Sequence, residues 1–125
     1  MPHIDNDTQT RVATLRELVE QFVSQRDWHQ FHCPKNLSMA LAIEAAELME
    51  HFQWLTTDAS RTLTDDADRH AQVADELADI LCYALALANE LQIDISTAIR
   101  SKMVKNAAKY PADEFRGRFG PEDNG

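Results

Sequence analysis

An all-α fold is predicted by three features of the sequence. Only three glycines and four prolines interrupt its 125 residues, apolar residues recur every three or four positions, and β-branched runs that would suggest strands are few. The elements follow in order. A first helix is expected from about Asp7 or Thr8 to Arg26, with Val12, Leu15, Leu18, Val19 and Phe22 on one apolar face. Residues 27–35 hold Trp28, Phe31, His32 and Pro34, and proline disfavours helix in the residue before it, so this segment reads as an aromatic-rich loop. Asn36 is a candidate cap for a second helix to about Trp54, with Leu37, Leu41, Leu48 and Phe52 on one stripe. A polar connection to Asp68 follows, in which Arg61 to Thr64 has room for a helical turn. The third helix, from about Asp68 to Leu91, is the longest and carries Val73, Leu77, Ile80, Ala84, Leu87 and Leu91 in register. Asp94 or Ser96 can cap a fourth helix to Tyr110, where Pro111 stops it. Four helices with short to medium connections make a four-helix bundle. Residues 1–111 are expected to form the domain, and 112–125, glycine-rich and charged, a flexible tail.

Length and charge narrow the functions available. A chain this short buries a small share of its surface, so help from a partner chain is expected. The formal net charge of −9 argues against a nucleic-acid backbone as partner, which requires clustered lysine and arginine. Cys33 and Cys82 lack metal-ligand spacing and read as reduced thiols, with Cys82, after Ile80 and Leu81, in the core. The amino-terminal residues show no basic segment followed by an apolar stretch, and no apolar run approaches the roughly 20 residues that span a bilayer. A cytoplasmic protein with no membrane contact is expected.

Two pairs of acids break this ordinary pattern. Glu44 falls in the apolar stripe of the second helix, three residues after Leu41 and four before Leu48, and Glu47 follows one turn later. The third helix repeats the arrangement, with Glu76 between Val73 and Ile80 and Asp79 one turn on. A single glutamate so placed usually sits on a solvated helix edge, but two matched pairs bring four carboxylates together if the helices pack face to face. Burying unpaired carboxylates costs several kcal/mol and like charges nearby add to it, so the cluster requires shared protons or a cation. An all-oxygen set suits Mg²⁺ or Mn²⁺, and the absence of a Glu-x-x-His pair sets aside the di-iron bundles. The fourth helix gathers Arg100, Lys102, Lys105 and Lys109, with Asn106 and Tyr110 nearby, either as phosphate ligands or as an ordinary solvated end that favours the helix dipole. Trp28, Phe31, His32, Trp54 and Tyr83 offer flat faces for a base, or simply fill the top of the core.

The run RDWHQFHCPKNLSMALAIEAAELMEHFQW, then DELADILCYALALA and SKMVKNAAKYP, resembles the dCTP pyrophosphatase branch of the MazG-like all-α NTP pyrophosphatases, over roughly residues 8 to 111. The resemblance implies that Glu44, Glu47, Glu76 and Asp79 are Mg²⁺ ligands and form the catalytic centre. It places the base at Trp28, Gln30, Phe31, His32, Trp54 and Tyr83, and makes Lys102, Asn106, Lys109 and Tyr110 phosphate-side candidates. It further implies a bundle completed by oligomerisation, as a homodimer or homotetramer. Ile43 stands before Glu44 where broader MazG-like enzymes often carry a consecutive glutamate, and this favours the dCTP-like subgroup. The activity expected is hydrolysis of a (d)NTP, dCTP or a modified cytosine nucleotide in particular, to the monophosphate and pyrophosphate. The alternative is a regulatory bundle that binds Mg²⁺ or nucleotide without hydrolysing it.

Overall fold

The computed structural model describes residues 5–118, and among them every regular element is helical. The elements are α1 (Val12–Gln25), α2 (Pro34–Glu50), α3 (Thr57–Thr62), α4 (Ala67–Leu91), α5 (Ile95–Lys109) and α6 (Ala112–Phe115), with 3-10 turns at Trp28–Gln30 and Leu63–Asp65. None of these helices is long and apolar enough to cross a membrane.

Local chemistry fixes where each helix begins. Asn6 closes a separate turn, its carbonyl accepting from the Gln9 and Thr10 amides at 3.0 Å, so α1 starts after the extended Arg11 rather than near Asp7. Helix α2 starts at Pro34, two residues before the expected Asn36 cap. Proline is preorganised for the first helical position, where its missing N–H would have had no partner. Asn36 instead donates its side-chain amide to the Phe31 carbonyl at 3.1 Å. The regular part of α2 ends at Glu50, not Trp54, and residues 51–55 continue as turns closed on Leu48, Met49 and Phe52. Thr56 caps α3 by accepting from the Ala59 amide at 3.1 Å, so the connection holds a short helix that starts earlier than the single turn expected from Arg61. Asp66 caps α4 by accepting from Asp68 and Arg69, and of the two candidates for α5 it is Asp94 that accepts, from the Thr97 amide at 3.0 Å. Residues 112–115, expected in the tail, form a helical turn whose Phe115 meets Tyr110 edge-on at 5.2 Å; residues 119–125 lie outside the described residues.

The chain divides into two compact units, Met1–Gln92 and Ile93–Gly125. In the first, α4 packs most extensively on α2 and also on α1. Its centre is small: among the described residues Val23, Leu37, Ala86 and Ala88 are the buried apolar ones, and of these Leu37 alone is almost fully enclosed, at 1% exposure. Much of the predicted apolar face of α1 is open, with Val12, Leu15, Leu18 and Phe22 all exposed, as are Met39, Ile43 and Met49 on α2 and Leu77 and Leu81 on α4. The periodicity identified these helices correctly, but the chain's own helices cover only part of each stripe. Arg16 and Asn89 tie α1 to α4 where both are half-buried: Arg16 Nε donates to Asn89 Oδ1 at 2.9 Å, and Asn89 Nδ2 donates to the Arg16 carbonyl at 3.1 Å.

Because so much depends on one enclosed side chain, Leu37→Ala is expected to destabilise the protein by about 2–5 kcal/mol. A lower urea midpoint with an unchanged slope would show this.

Candidate active site

The site is built from the seam between α2 and α4. Glu44 and Glu47 lie one turn apart on α2 and Glu76 faces them from α4. Each offers a carboxylate oxygen within 4.8 Å of the other two. One oxygen of Glu44 and one of Glu76 are shut off from solvent and have no hydrogen-bond partner. Burial raises the Glu44 carboxyl to about 7, reinforced by the adjacent Glu47, by the charge of Asp79 and by Glu76. Two buried acceptors without donors, in a cluster that cannot ionise fully by itself, are the features a bound cation would resolve. The donor set, all carboxylate oxygen, fits a hard divalent ion. Of the four expected acids, three therefore converge. Asp79 stands outside the tight group, near enough for its charge to act on Glu44 and on the Cys82 thiol.

Two recesses open on either side of this cluster, and all their lining residues come from the first unit. One, about 630 Å³, is an aromatic groove that includes Phe22 and Arg26 of α1, Trp28, His32, Glu44, Asp79, Cys82 and Tyr83. The other, about 720 Å³, is polar and lined by Glu47, Glu50, His51, Arg69, Gln72 and Glu76. Since Glu44 lines the first and Glu47 and Glu76 the second, the carboxylate cluster borders both recesses. Trp28 packs edge-on against Phe22 at 5.6 Å and tilts against His32 at 5.9 Å, while the Arg26 guanidinium lies 3.7 Å over the Phe22 ring. His32 Nδ1 is enclosed and has no hydrogen-bond partner.

Of the aromatic and polar candidates, Trp28, His32 and Tyr83 line the groove. Gln30, Phe31 and Trp54 line neither recess. Gln30 donates to the carbonyl and carboxylate of Asp27, and Phe31 and Trp54 are 60% and 87% exposed. Lys102, Asn106, Lys109 and Tyr110 belong to the second unit, where the Lys109 ammonium lies 5.3 Å over the Tyr110 ring and Asn106 meets the Met103 sulfur at 3.9 Å. Cys82 is exposed on the groove rather than packed in the core, and partial desolvation of its thiol by the groove walls, with the nearby Asp79 charge, pushes the thiol up. Its neighbours Ile80 and Leu81 had pointed inward in the sequence, but α4 turns Cys82 onto the groove together with Asp79.

Residues that the sequence did not single out for this site are Phe22, Arg26, Arg69 and Gln72. A spacing signal existed: Arg69, Gln72 and Glu76 fall three and four residues apart on α4, and Leu18 and Phe22 of α1 and Arg26 at its C-cap fall four apart. The guanidinium of Arg69 makes no hydrogen bond or ion pair among the described residues and is the cationic side chain that faces the polar recess.

A seam of carboxylates between two helices of an all-α unit, flanked by an aromatic groove, offers a donor set that suits a hard divalent cation. The comparisons with known proteins give the family. A model of the MazG-like family matches residues 39–118. The dCTP pyrophosphatase 1 of Homo sapiens is 41% identical over 98 residues and that of Rattus norvegicus 39% over 103 residues, covering 78% and 82% of this chain. The chain spans only 58% and 61% of those two proteins' lengths. The crystal structure of a pyrophosphatase from Archaeoglobus fulgidus superposes with a TM-score of 0.72 at 34% identity, covering 89% of this chain and 98% of that one. The chain belongs to the MazG-like family.

The raised Glu44 carboxyl has a consequence for the metal-free protein. Its folded-state value, about 7, lies above the ordinary 4.5, so stability present at low pH is lost as pH rises through 7. In EDTA, Glu44→Gln is therefore expected to melt higher than the wild type at pH 8, with the gap closing toward pH 4.5. Melting curves across this range check the sign.

Proposed function

We propose that this chain is a divalent-cation-dependent nucleoside triphosphate pyrophosphohydrolase acting on dCTP or modified cytosine nucleotides. The observation that carries the reading is the carboxylate cluster that borders both an aromatic groove and a polar recess. The names of the curated relatives support the substrate, and that of the archaeal structure supports the reaction.

Glu44, Glu47 and Glu76, with Asp79 beside them, would hold Mg²⁺, with Mn²⁺ as substitute. When bound, such an ion neutralises triphosphate oxygens and the charge that grows on them during hydrolysis. The protein's own groups do the rest. Trp28, Tyr83 and Phe22 stack the base, and the enclosed His32 Nδ1 supplies a polar atom to read its edge. Glu47 accepts the proton of the water that attacks the α-phosphorus, and the bond to the pyrophosphate oxygen breaks. Arg69, at the polar recess, takes the charge of the departing pyrophosphate, and Lys102, Asn106, Lys109 and Tyr110 are phosphate-side candidates on the family resemblance alone.

The reading includes a homo-oligomer, dimer or tetramer, working in the cytoplasm. The uncovered apolar residues of α1, α2 and α4 support the assembly, because a core of four buried residues is too small for a stable unit. On this reading a second copy covers them, and the exposed Phe31, Trp54 and Gln30 become part of a closed pocket.

Incubation with Mg²⁺ and a panel of nucleoside triphosphates, including dCTP and 5-methyl-dCTP, is expected to give monophosphate and equimolar pyrophosphate, resolved by ion exchange. Diphosphate with phosphate would mean a different bond, and tight nucleotide binding without product would select the regulatory alternative. Glu76→Ala is expected to lower kcat/KM by about 10²-fold or more, and calorimetry should show weakened Mg²⁺ binding. Full retention of both would remove the cluster from the mechanism.

A further inference from the structure

His29 sits on the 3-10 turn between α1 and α2 with both ring nitrogens against carboxylates. Nε2 lies 2.7 Å from Glu20 Oε1 of α1 and Nδ1 lies 2.7 Å from Glu90 Oε1 of α4. Ser24 reinforces the first contact, its hydroxyl donating to Glu20 Oε1 at 3.0 Å and standing 3.3 Å from His29 Nε2. An ionised carboxylate only accepts hydrogen bonds. A neutral imidazole has one N–H, so its other nitrogen would turn a lone pair toward a carboxylate. Both contacts are satisfied together only by the imidazolium.

The geometry points to His29 as a positioning residue: as imidazolium it fastens the Trp28–His32 segment to α1 and α4 at once, and on losing its proton it releases that segment. The segment forms the aromatic wall of the groove through Trp28 and His32, so the groove is set by pH.

The charged groups facing His29 are Glu20 on α1 and Glu90 on α4. On its own turn, the Asp27 carboxylate takes the Gln30 side-chain amide, and Arg26 lies over Phe22. The α1–α4 contact itself does not depend on the proton, because Arg16 and Asn89 join those helices independently. What His29 adds is the tie of the turn to both. The turn is entered through Asp27 in the left-handed region, φ 53°, a conformation unfavourable for a residue with a Cβ. Hydrogen bonding to Glu90, and next to Glu20, raises the His29 pKa above its ordinary 6.5. The raised value gives the sign: the clamp is complete below pH 6.5 and is lost as pH rises through the folded-state pKa. With the His29 side chain 43% exposed, salt should weaken it as well.

The test reads Trp28 directly. In a Trp54→Phe background, Trp28 emission is followed from pH 5.5 to 9 beside the His29 ring-proton shift in NMR. The expected result is a single step in both, with a shared midpoint above 6.5. His29→Gln should show no step, and His29→Arg, charged throughout, should hold the low-pH emission at every pH. Absence of the step in the wild type, or its persistence in His29→Gln, overturns the clamp. Circular dichroism confirms the fold of each variant, and should His29→Gln lose helix, the wild type against His29→Arg decides. A second arm rests on the proposed activity: KM for dCTP should rise about two- to fivefold across the step, the size a partly exposed ion pair sustains. The saturated rate should not share that step, and it should be missing from KM in His29→Arg. A KM step of equal size in His29→Arg overturns the link to the groove. If no nucleotide is turned over, the proposed activity fails, while the emission step still decides the clamp.

Discussion

The structure turns on the repulsion among carboxylates at the α2–α4 seam. Glu44, Glu47 and Glu76 are brought together by the same helix packing that gathers Leu41, Leu48, Val73 and Ile80 around them, all half-buried. Apolar contact draws the helices together while the acids push them apart. Two carboxylate oxygens are enclosed with no donor to meet them, an arrangement that a purely structural seam has no reason to keep. A divalent ion would convert the repulsion into shared coordination, and the metal-free fold would then carry a strain released only on loading.

This constraint bears on the rest of the first unit because its core is so small. Leu37 and three smaller buried residues supply little surplus to offset a charged seam. The apolar residues that could supply more lie uncovered on α1, α2 and α4. One of these faces, around Leu18 and Phe22, is also a wall of the aromatic groove. Stability and the groove proposed for the base therefore draw on the same surface of α1, and whatever covers part of it also shapes the recess.

The groove's other wall is held differently. Trp28 and His32 are presented by a turn whose charged links to α1 and α4 run through one histidine and two glutamates, beside the edge-on contact of Trp28 with Phe22. On the proposed function the acidic seam would exchange protons for a cation, whereas the His29 contacts require keeping one, so the seam and the turn answer to opposite changes in protonation.

The sequence by itself determined the helical class, the long α4 and the helix faces that carry Glu44, Glu47, Glu76 and Asp79, because three- and four-residue spacing fixes a helix face; it left Asp94 and Ser96 as alternative caps, and the structure chose Asp94. The family resemblance carried by EAAE and ELAD named the same four acids. Spacing within one helix does not say which turns of another stand opposite, so only the tertiary structure separated Asp79 from the tight group and turned Cys82 onto the groove. For the same reason it left Trp54, Phe31 and Gln30 outside both recesses and brought Phe22, Arg26 and Arg69 to them. The Glu20–His29–Glu90 contact joins residues up to 61 positions apart, and no local pattern could have paired them.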